Sequence, residues 1–410
     1  MAYMVAGIDV HKKVLMVAVA DASVQELEFE RQRFGTMASE LERLAEWLTA
    51  QGVRDVVMES TAQYWKPVWL TLEPKFKLHL AQAHSNRAPR GRKSDFRDAE
   101  RLVRRYIAGE LILSFVPDAE QRQMRMLTRR RVQLTRDRAR LQSQMECLLE
   151  EGRIKLSSVV SDLLGASARR ILRALAKGET NPAKLADLGD DRLKCTQEQL
   201  QDALRGSLSP IHRELLSMYL EQIEVIDRQV LKLEAMTAKA MQGCREAVIR
   251  LAEVPGIQVI AAHQIVAEAG PQAATFPSSS QFSSWIGSCP GREESAEENH
   301  SKRCPKGNRY LRRVLCLAAQ AAVKKKNSWF QALFRRLLPR LGYNKALWAV
   351  VRHLSRVIWK ILHDGVRYQE RGEATTPQAA KRRAQRMLRQ LRQLGYIVEI
   401  KPAAAAAAAA

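Results

Sequence analysis

A chain of 410 residues with 46% hydrophobic content has material for two or three domains with real cores, which excludes an intrinsically disordered protein. Its 67 Lys and Arg stand against 44 Asp and Glu, a formal charge of +23, which points to a polyanionic partner and to association weakened by salt. No apolar run is long enough to span a bilayer and no secretory leader pattern is seen, so a cytoplasmic protein without a membrane partner is expected.

Residues 4–20 read as two strands around the polar turn His11-Lys12-Lys13, the first ending in Asp9, and 26–34 supplies a third, making a meander. Leu41, Leu44, Ala45 and Leu48 recur at helical spacing over 38–50. DVVMES then gives a short fourth strand with Glu59 at its carboxyl end, followed by a helix over 64–73, a fifth strand over 75–81 and a helix over 95–109. Three antiparallel strands followed by alternating helices and strands make residues 1–115 an α/β domain. Asp9 and Glu59 both end strands, where open α/β sheets commonly gather ligands.

From residue 116 the texture changes. Met124, Leu127, Leu134, Leu141, Met145 and Leu148 keep close to a heptad rhythm over 118–151, and Leu215, Met218, Leu220, Ile223, Ile226 and Val230 continue that character over 210–246. Two long helices joined by shorter ones across 153–209 predict an antiparallel coiled hairpin, making 116–246 a long-helix coiled-coil insert and an oligomer contact for a dimer or tetramer. Residues 247–370 read as a mainly α-helical domain. It opens on two helices around Pro255-Gly256, a turn that either presents amides to a phosphate or simply joins packed helices. Residues 288–308 are too polar and irregular for core and read as a loop, after which helices resume at Tyr310. Residues 371–410 form a basic tail ending in eight alanines without pattern.

The six cysteines lie far apart without a close C-x-x-C pair, so reduced thiols are expected; Cys289 and Cys304 around His300 give only a thin zinc pattern. Between Asn299 and His363 there is no Asp or Glu, and there are sixteen Lys or Arg. Trp329, Phe330, Phe334, Tyr343, Trp348 and Trp359 are interleaved with them. Such a mixture fits a nucleic-acid surface, although the aromatic residues taken alone suit a core better. Lys306, Asn308, Arg309, Arg312 and Arg313 are candidates for a phosphate grip, and Arg92, Lys93 and Arg97 join them from GRKSDFRDAERLVRR, 91–105.

That stretch also carries Asp95 and Asp98, three apart and so on one helical face. Acids at a helix start serve the exposed amides and the dipole; together with Asp9 and Glu59 they can instead form one cluster. Four carboxylates suit hard divalent Mg2+, or Mn2+ in its place, which orients a phosphate and stabilises charge on attacking and leaving oxygens. Without cations between them, clustered acids repel one another strongly. His11 is either an exposed turn residue or a phosphate contact, and Tyr64 either shapes a helix start or touches DNA.

The order of acids in GID (7–9), VMES (57–60) and SDFRD (94–98) resembles that of the RNase H-like fold of RuvC-type nucleases. Nearly the whole chain resembles transposases of the bacterial insertion-sequence family numbered one hundred and ten. The matching stretches are GIDVHKKVLMVAV (7–19), VVMESTAQYWKPVWLTL (56–72), GRKSDFRDAERLVR (91–104), VPGIQVIAAHQIVAEAG (254–270), FSSWIGSCPGREES (282–295) and KGNRYLRRVLCLAAQAA (306–322). Members join a RuvC-like domain to a C-terminal transposase domain.

The resemblance implies that Asp9, Glu59, Asp95 and Asp98 hold metal, and that Ser295 attacks a DNA phosphodiester and becomes transiently bonded to it. Family members commonly carry Gly after this serine, whereas this chain has Ala296. It further implies donor and target double-stranded DNA as substrates and a structured guide (bridge) RNA that reads sequence by pairing. The activity so implied is guide-RNA-directed cleavage, strand exchange and rejoining. From the residues alone, Ser295 is one serine among many, and a hydroxyl needs metal or base to attack. A metal-dependent junction nuclease using activated water, and a nucleic-acid scaffold without catalysis, are the other readings.

Overall fold

The computed structural model describes residues 2–59, 62–86, 95–290 and 304–370, apart from the side chains of residues 84, 85 and 95. It adds the backbone of 293–295 and 298–301 and six positions between 385 and 393. The chain divides into two compact units, Met1–Asp118 and Ala119–Ala410.

The first unit is built on a mixed sheet. Strands β1 (Met4–Val10), β2 (Val14–Asp21) and β3 (Glu30–Gly35) form the antiparallel meander, while β4 (Val53–Glu59) runs parallel to β1 and β5 (Lys77–Ala81) parallel to β4. A short antiparallel β6 (Leu113–Ser114) completes the order β3-β2-β1-β4-β5-β6. Helices α1 (Ala38–Ala50), α2 (Trp65–Leu72) and α3 (Asp95–Ile107) lie on it. This is the RNase H-like α/β architecture expected from the sequence.

Period-two alternation decides what each strand shows to each face. Ile8 and Val10 of β1 join Val56 and Met58 of β4 in a core closed by Leu41, Leu44 and Leu48 of α1. The other face offers Val5, Gly7 and Asp9 of β1 and Val57 and Glu59 of β4; there Val5 meets Val103, and Val57 meets Leu102, both from α3. Gly7 sets the height of that helix. A Cβ at Gly7 would sit 2.3 Å from the Ala99 carbonyl oxygen and 2.8 Å from Cγ2 of Val103, so only glycine lets α3 descend onto β1. Gly7→Ala is therefore expected to destabilise this unit by about 1–3 kcal/mol through overpacking, read as a lower urea midpoint.

The second unit begins with α4 (Ala119–Glu151). The short helices α5 (Leu156–Val159), α6 (Ala166–Ala176), α7 (Pro182–Ala186) and α8 (Gln197–Ala203) follow, and then α9 (Pro210–Ala240). The predicted antiparallel hairpin of α4 and α9 is present: Arg131 meets Glu234 and Arg138 meets Asp227, each at 2.7 Å, and His212 meets Glu151 at 3.3 Å. Leu141, Met145 and Leu148 of α4 and Leu216, Leu220 and Ile223 of α9 bury against the short helices. Asp227 also takes Arg169 of α6 at 2.5 Å. Burial pushes the Asp227 carboxyl up, but the two guanidiniums outweigh it and hold the group below its ordinary range.

Helices α10 (Arg245–Ala252), α11 (Val259–Ala269), α12 (Ser279–Ile286), α13 (Arg309–Ala322), α14 (Trp329–Leu341) and α15 (Tyr343–His363) form the remaining core around Phe282, Leu315, Phe330, Val350 and Leu354. The Pro255-Gly256 turn serves packing. Gly256 has φ 83°, and a Cβ on it would lie 2.1 Å from the Ala318 carbonyl oxygen, so the turn is pressed against α13. Residues 288–308, expected as a loop, contain two short paired strands, β7 (Glu293–Ser295) and β8 (Glu298–Ser301). Both strands are polar throughout, which leaves no alternation to read in the sequence. Among the described residues no helix is long and apolar enough to cross a membrane, and the six cysteines are free.

Candidate active site

Ile8 of β1 pairs with Met58 of β4, so Asp9 and Glu59 follow side by side at the carboxyl edge of two parallel strands. The start of α3 brings Asp98 to the same edge. Burial is the main reason the Asp9 carboxyl sits above its ordinary range; the charge of His11 draws it back, while the charges of Asp98 and Glu59 push it further up. Three acids are thus near enough to repel, in a place where Asp9 keeps only 8% exposure.

Each of the three has a partner. His11 Nε2 lies 3.0 Å from Asp9 Oδ2, Asn86 Nδ2 donates to Glu59 Oε2 at 2.9 Å, and Arg101 meets Asp98 Oδ1 at 2.7 Å. Arg101 Nε also faces the main-chain and side-chain oxygens of Asn86 at 3.2 Å, so Glu59, Asn86, Arg101 and Asp98 form one connected chain. Sequence reading assigned no role to Asn86, which is 2% exposed, or to Arg101. The available signal was position: Asn86 comes just after β5, at the same sheet edge as the acids. Asp95 is the first residue of α3, with its side chain outside the described residues, as are Arg92 and Lys93 altogether. Arg97 is exposed on α3.

Among the described residues no three His, Cys, Asp or Glu side chains stand close enough to hold one metal ion together. The chemistry of the donors nevertheless suits a hard divalent cation, since they are oxygen ligands whose mutual repulsion such an ion would relieve.

A contrast lies at the other end of α3, on the same sheet face. Asp55, 2% exposed, takes hydrogen bonds from the hydroxyls of Tyr3 and of Tyr106 (2.9 Å) and stands 2.6 Å from His79 Nε2. Burial raises the Asp55 carboxyl, but the bonds from Tyr3, His79 and Tyr106 together outweigh it and leave the group below its ordinary range. A lowered carboxyl contributes stability that is present above its unfolded value, about pH 4, and lost as pH falls through the folded value. Asp55→Asn should accordingly weaken the fold at neutral pH by about 1–3 kcal/mol and flatten the acid limb below about pH 4, as followed by circular dichroism. One buried acid on this face is fully satisfied; the other is held against its like charges, which is the pattern of a functional site.

Ser295 lies in the second unit, as the last residue of β7 opposite Glu298, with its side chain outside the described residues. The basic candidates beyond it divide. Asn308 caps α13, accepting from the amides of Tyr310 (3.0 Å) and Leu311 (3.1 Å), and donates to Glu268 at 2.8 Å. Arg312 donates to the carbonyls of Gly287 and Pro305 and lies over the Trp348 ring at 4.3 Å. Both are therefore engaged within the protein. Lys306 and Arg309 are exposed, Arg309 lying over Tyr310 at 4.9 Å. Burial, aided by the charge of Arg136, lowers the Arg313 guanidinium from its ordinary value. Glu268 itself, fully buried and held by Arg129 at 2.7 and 2.8 Å, was hidden in the sequence within an apolar helical run.

A mixed sheet of this order, with acids at the ends of β1 and β4 and at the start of α3, is an RNase H-like domain. Comparison with known proteins narrows the class. Residues 249–335 match the family described as "Transposase IS116/IS110/IS902 family", and residues 6–153 match a second family, described as "Transposase". A protein of Pseudomonas aeruginosa called "Probable family 20 transposase" is 26% identical over 323 residues, covering 75% of this chain and 83% of that relative. The chain belongs to the IS110-type transposases, enzymes of DNA recombination.

Proposed function

We propose that this transposase cuts DNA by divalent-metal chemistry at Asp9, Glu59 and Asp98, with Asp95 as the fourth acid. The observation that carries the reading is the convergence of Asp9, buried at a strand end, with Glu59 of the neighbouring strand and Asp98 of α3, both near enough to repel it. Mg2+, or Mn2+ in its place, supplies charge neutralisation at the phosphate and activation of the nucleophile when bound. The protein's own part is orientation: Asn86 fixes Glu59, Arg101 fixes Asp98 and His11 fixes Asp9. Activated water is the attacking group that this unit supports by itself.

A second reading has Ser295 attack instead and carry the DNA as a transient ester; the family match across 249–335, which includes Ser295, favours it. Donor and target double-stranded DNA are the substrates in either case. A structured guide (bridge) RNA belongs to the proposal, supported by the formal charge of +23 and by exposed Lys306 and Arg309. So do a dimer or tetramer built on the α4–α9 hairpin, and a division into 1–115, 116–246 and 247–370, with 371–410 as a basic tail that lies mostly outside the described residues.

The test incubates the protein with Mg2+, RNA and labelled donor and target DNA, then denatures it and looks for DNA joined to protein. Cleavage without an adduct, unchanged in Ser295→Ala, supports activated water. An adduct that maps to Ser295 and vanishes in Ser295→Ala gives the serine route. Cleavage that survives both chelation and Asp9→Asn overturns the proposal.

A further inference from the structure

The fold gives the aromatic rings of the basic stretch between Asn299 and His363 different surroundings. Phe330 and Phe334 are buried in the core, and Trp348 lies beneath Arg312. Trp329 and Trp359, partly exposed, open onto a cleft of about 560 Å3 whose lining also includes Phe330, His353 and Tyr368. That volume falls within the roughly 300–1,000 Å3 typical of small-ligand sites.

The rings are fixed before anything binds. Trp329 meets His353 edge-on at 5.0 Å and Phe330 at 5.4 Å, and Tyr368 stacks on Phe330 at 6.3 Å with the planes only 12° apart. Trp359 donates its indole N–H to the Phe276 carbonyl at 2.8 Å. Glu370, just beyond the cleft, accepts from the Trp329 amide and the Tyr368 hydroxyl, each at 3.0 Å, and so ties two walls together.

The charge is as one-sided as the rings are rigid. Arg356 and Lys360 lie four apart on α15 and line the cleft from an exposed position, and among the described residues neither forms an ion pair. Arg367 is the third cation, paired with Glu253 at 3.4 Å, and none of the lining residues is acidic. Burial, with the added charges of Arg356, Arg352 and Arg336, holds His353 below its ordinary range, so at neutral pH its ring is an uncharged hydrogen-bonding partner. Aromatic walls and cations at the rim are the features that hold an unpaired nucleotide, and the neighbouring carboxylates of Glu370 and Glu253 are already engaged, by the Trp329 amide and Tyr368 hydroxyl and by Arg367. A base still stacked in a duplex could not present its faces to such walls.

We infer that the cleft between α14, α15 and residues 366–369 is a binding site for one unpaired nucleotide, its base among Trp329, Trp359 and Tyr368 and its phosphate at Arg356 and Lys360. This rests on the nucleic-acid function proposed above but not on cleavage, so it is tested in full-length Asp9→Asn protein in the presence of chelator. A single 5-iodouracil is placed at an unpaired position of an oligoribonucleotide, of the matching oligodeoxyribonucleotide, and within a fully paired duplex. After irradiation the joined peptide is mapped.

Joining to Trp329, Trp359 or Tyr368 from either single strand, with little from the duplex, is expected; which strand reacts identifies RNA or DNA as the source. The charge reversal Arg356→Glu/Lys360→Glu, at exposed positions that leave the core untouched, should lower the yield about tenfold relative to Lys324→Glu/Lys325→Glu. Joining confined to other residues, equal joining from the duplex, or equal yields from the two charge reversals overturns the inference. Loss of cleavage activity would have no bearing on any of these readouts.

Discussion

Asp9→Asn is expected to lower the rate of DNA cleavage by about a thousandfold or more while leaving the metal-free protein at least as stable at neutral pH. The two effects have one cause. Burial and the charges of Asp98 and Glu59 raise the Asp9 carboxyl, so the folded protein holds that proton more tightly than the unfolded chain does. A raised group contributes stability that is fully present below its unfolded value, about pH 4, and lost as pH rises through the folded value. At neutral pH the ionised Asp9 is therefore a net cost, which the neutral amide removes. The stability difference between variant and wild type should shrink as pH is lowered toward 4. Added Mg2+ should raise the melting temperature of the wild type and leave that of the variant nearly unchanged, since only an intact acid set gives the ion a preferred folded-state site. An Asp9→Asn protein that cut DNA at the wild-type rate would remove the carboxylate from the chemistry.

Glu268→Ala is expected to destabilise the second unit by about 3 kcal/mol, at the lower end of what breaking a buried ion pair costs. Glu268 on α11 is fully buried and receives both nitrogens of the Arg129 fork from α4, with Arg125 3.6 Å away and Asn308 donating from the residue before α13. Three segments therefore meet on one carboxylate. Its loss strands the Asn308 amide, while Arg129, 40% exposed, can turn toward water and limit the damage. Arg125 keeps its bonds to the carbonyls of Ala267 and Glu268. Urea unfolding should show a lower midpoint for Glu268→Ala and a smaller change for Glu268→Gln, which keeps an oxygen for Asn308. Asp202→Ala, which breaks only the exposed pair with Arg205, should leave the midpoint in place.

What the sequence disclosed and what it hid follow from the range of the forces involved. Alternation in Val5, Gly7 and Asp9 against Ile8 and Val10 is local, so the strand and its terminal acid were legible; so were the heptad-spaced leucines of α4 and α9. The place of Glu59 beside Asp9 needed only the parallel register of β1 and β4. Asn86 and Arg101 were not legible, because their roles arise where a residue after β5 meets one on α3. Charge alone also could not separate Arg312, turned inward onto Gly287 and Trp348, from exposed Arg309 three residues before it. The same holds for the aromatic residues of the basic stretch, where burial of Phe330 and partial exposure of Trp329 are decided by neighbours from α15 and beyond. The packing of Pro255-Gly256 was likewise not legible, because it depends on α13, more than fifty residues further along the chain.

The most direct measurement is the rate of Mg2+-dependent cleavage of labelled donor DNA by Asp9→Asn, Glu59→Gln, Asp98→Asn and their pairwise combinations. Residues acting as one unit lose nearly everything at the first substitution, so each single variant is predicted to be as inactive as any double. A single variant that keeps near wild-type cleavage, or losses that multiply independently from one acid to the next, would contradict a shared site.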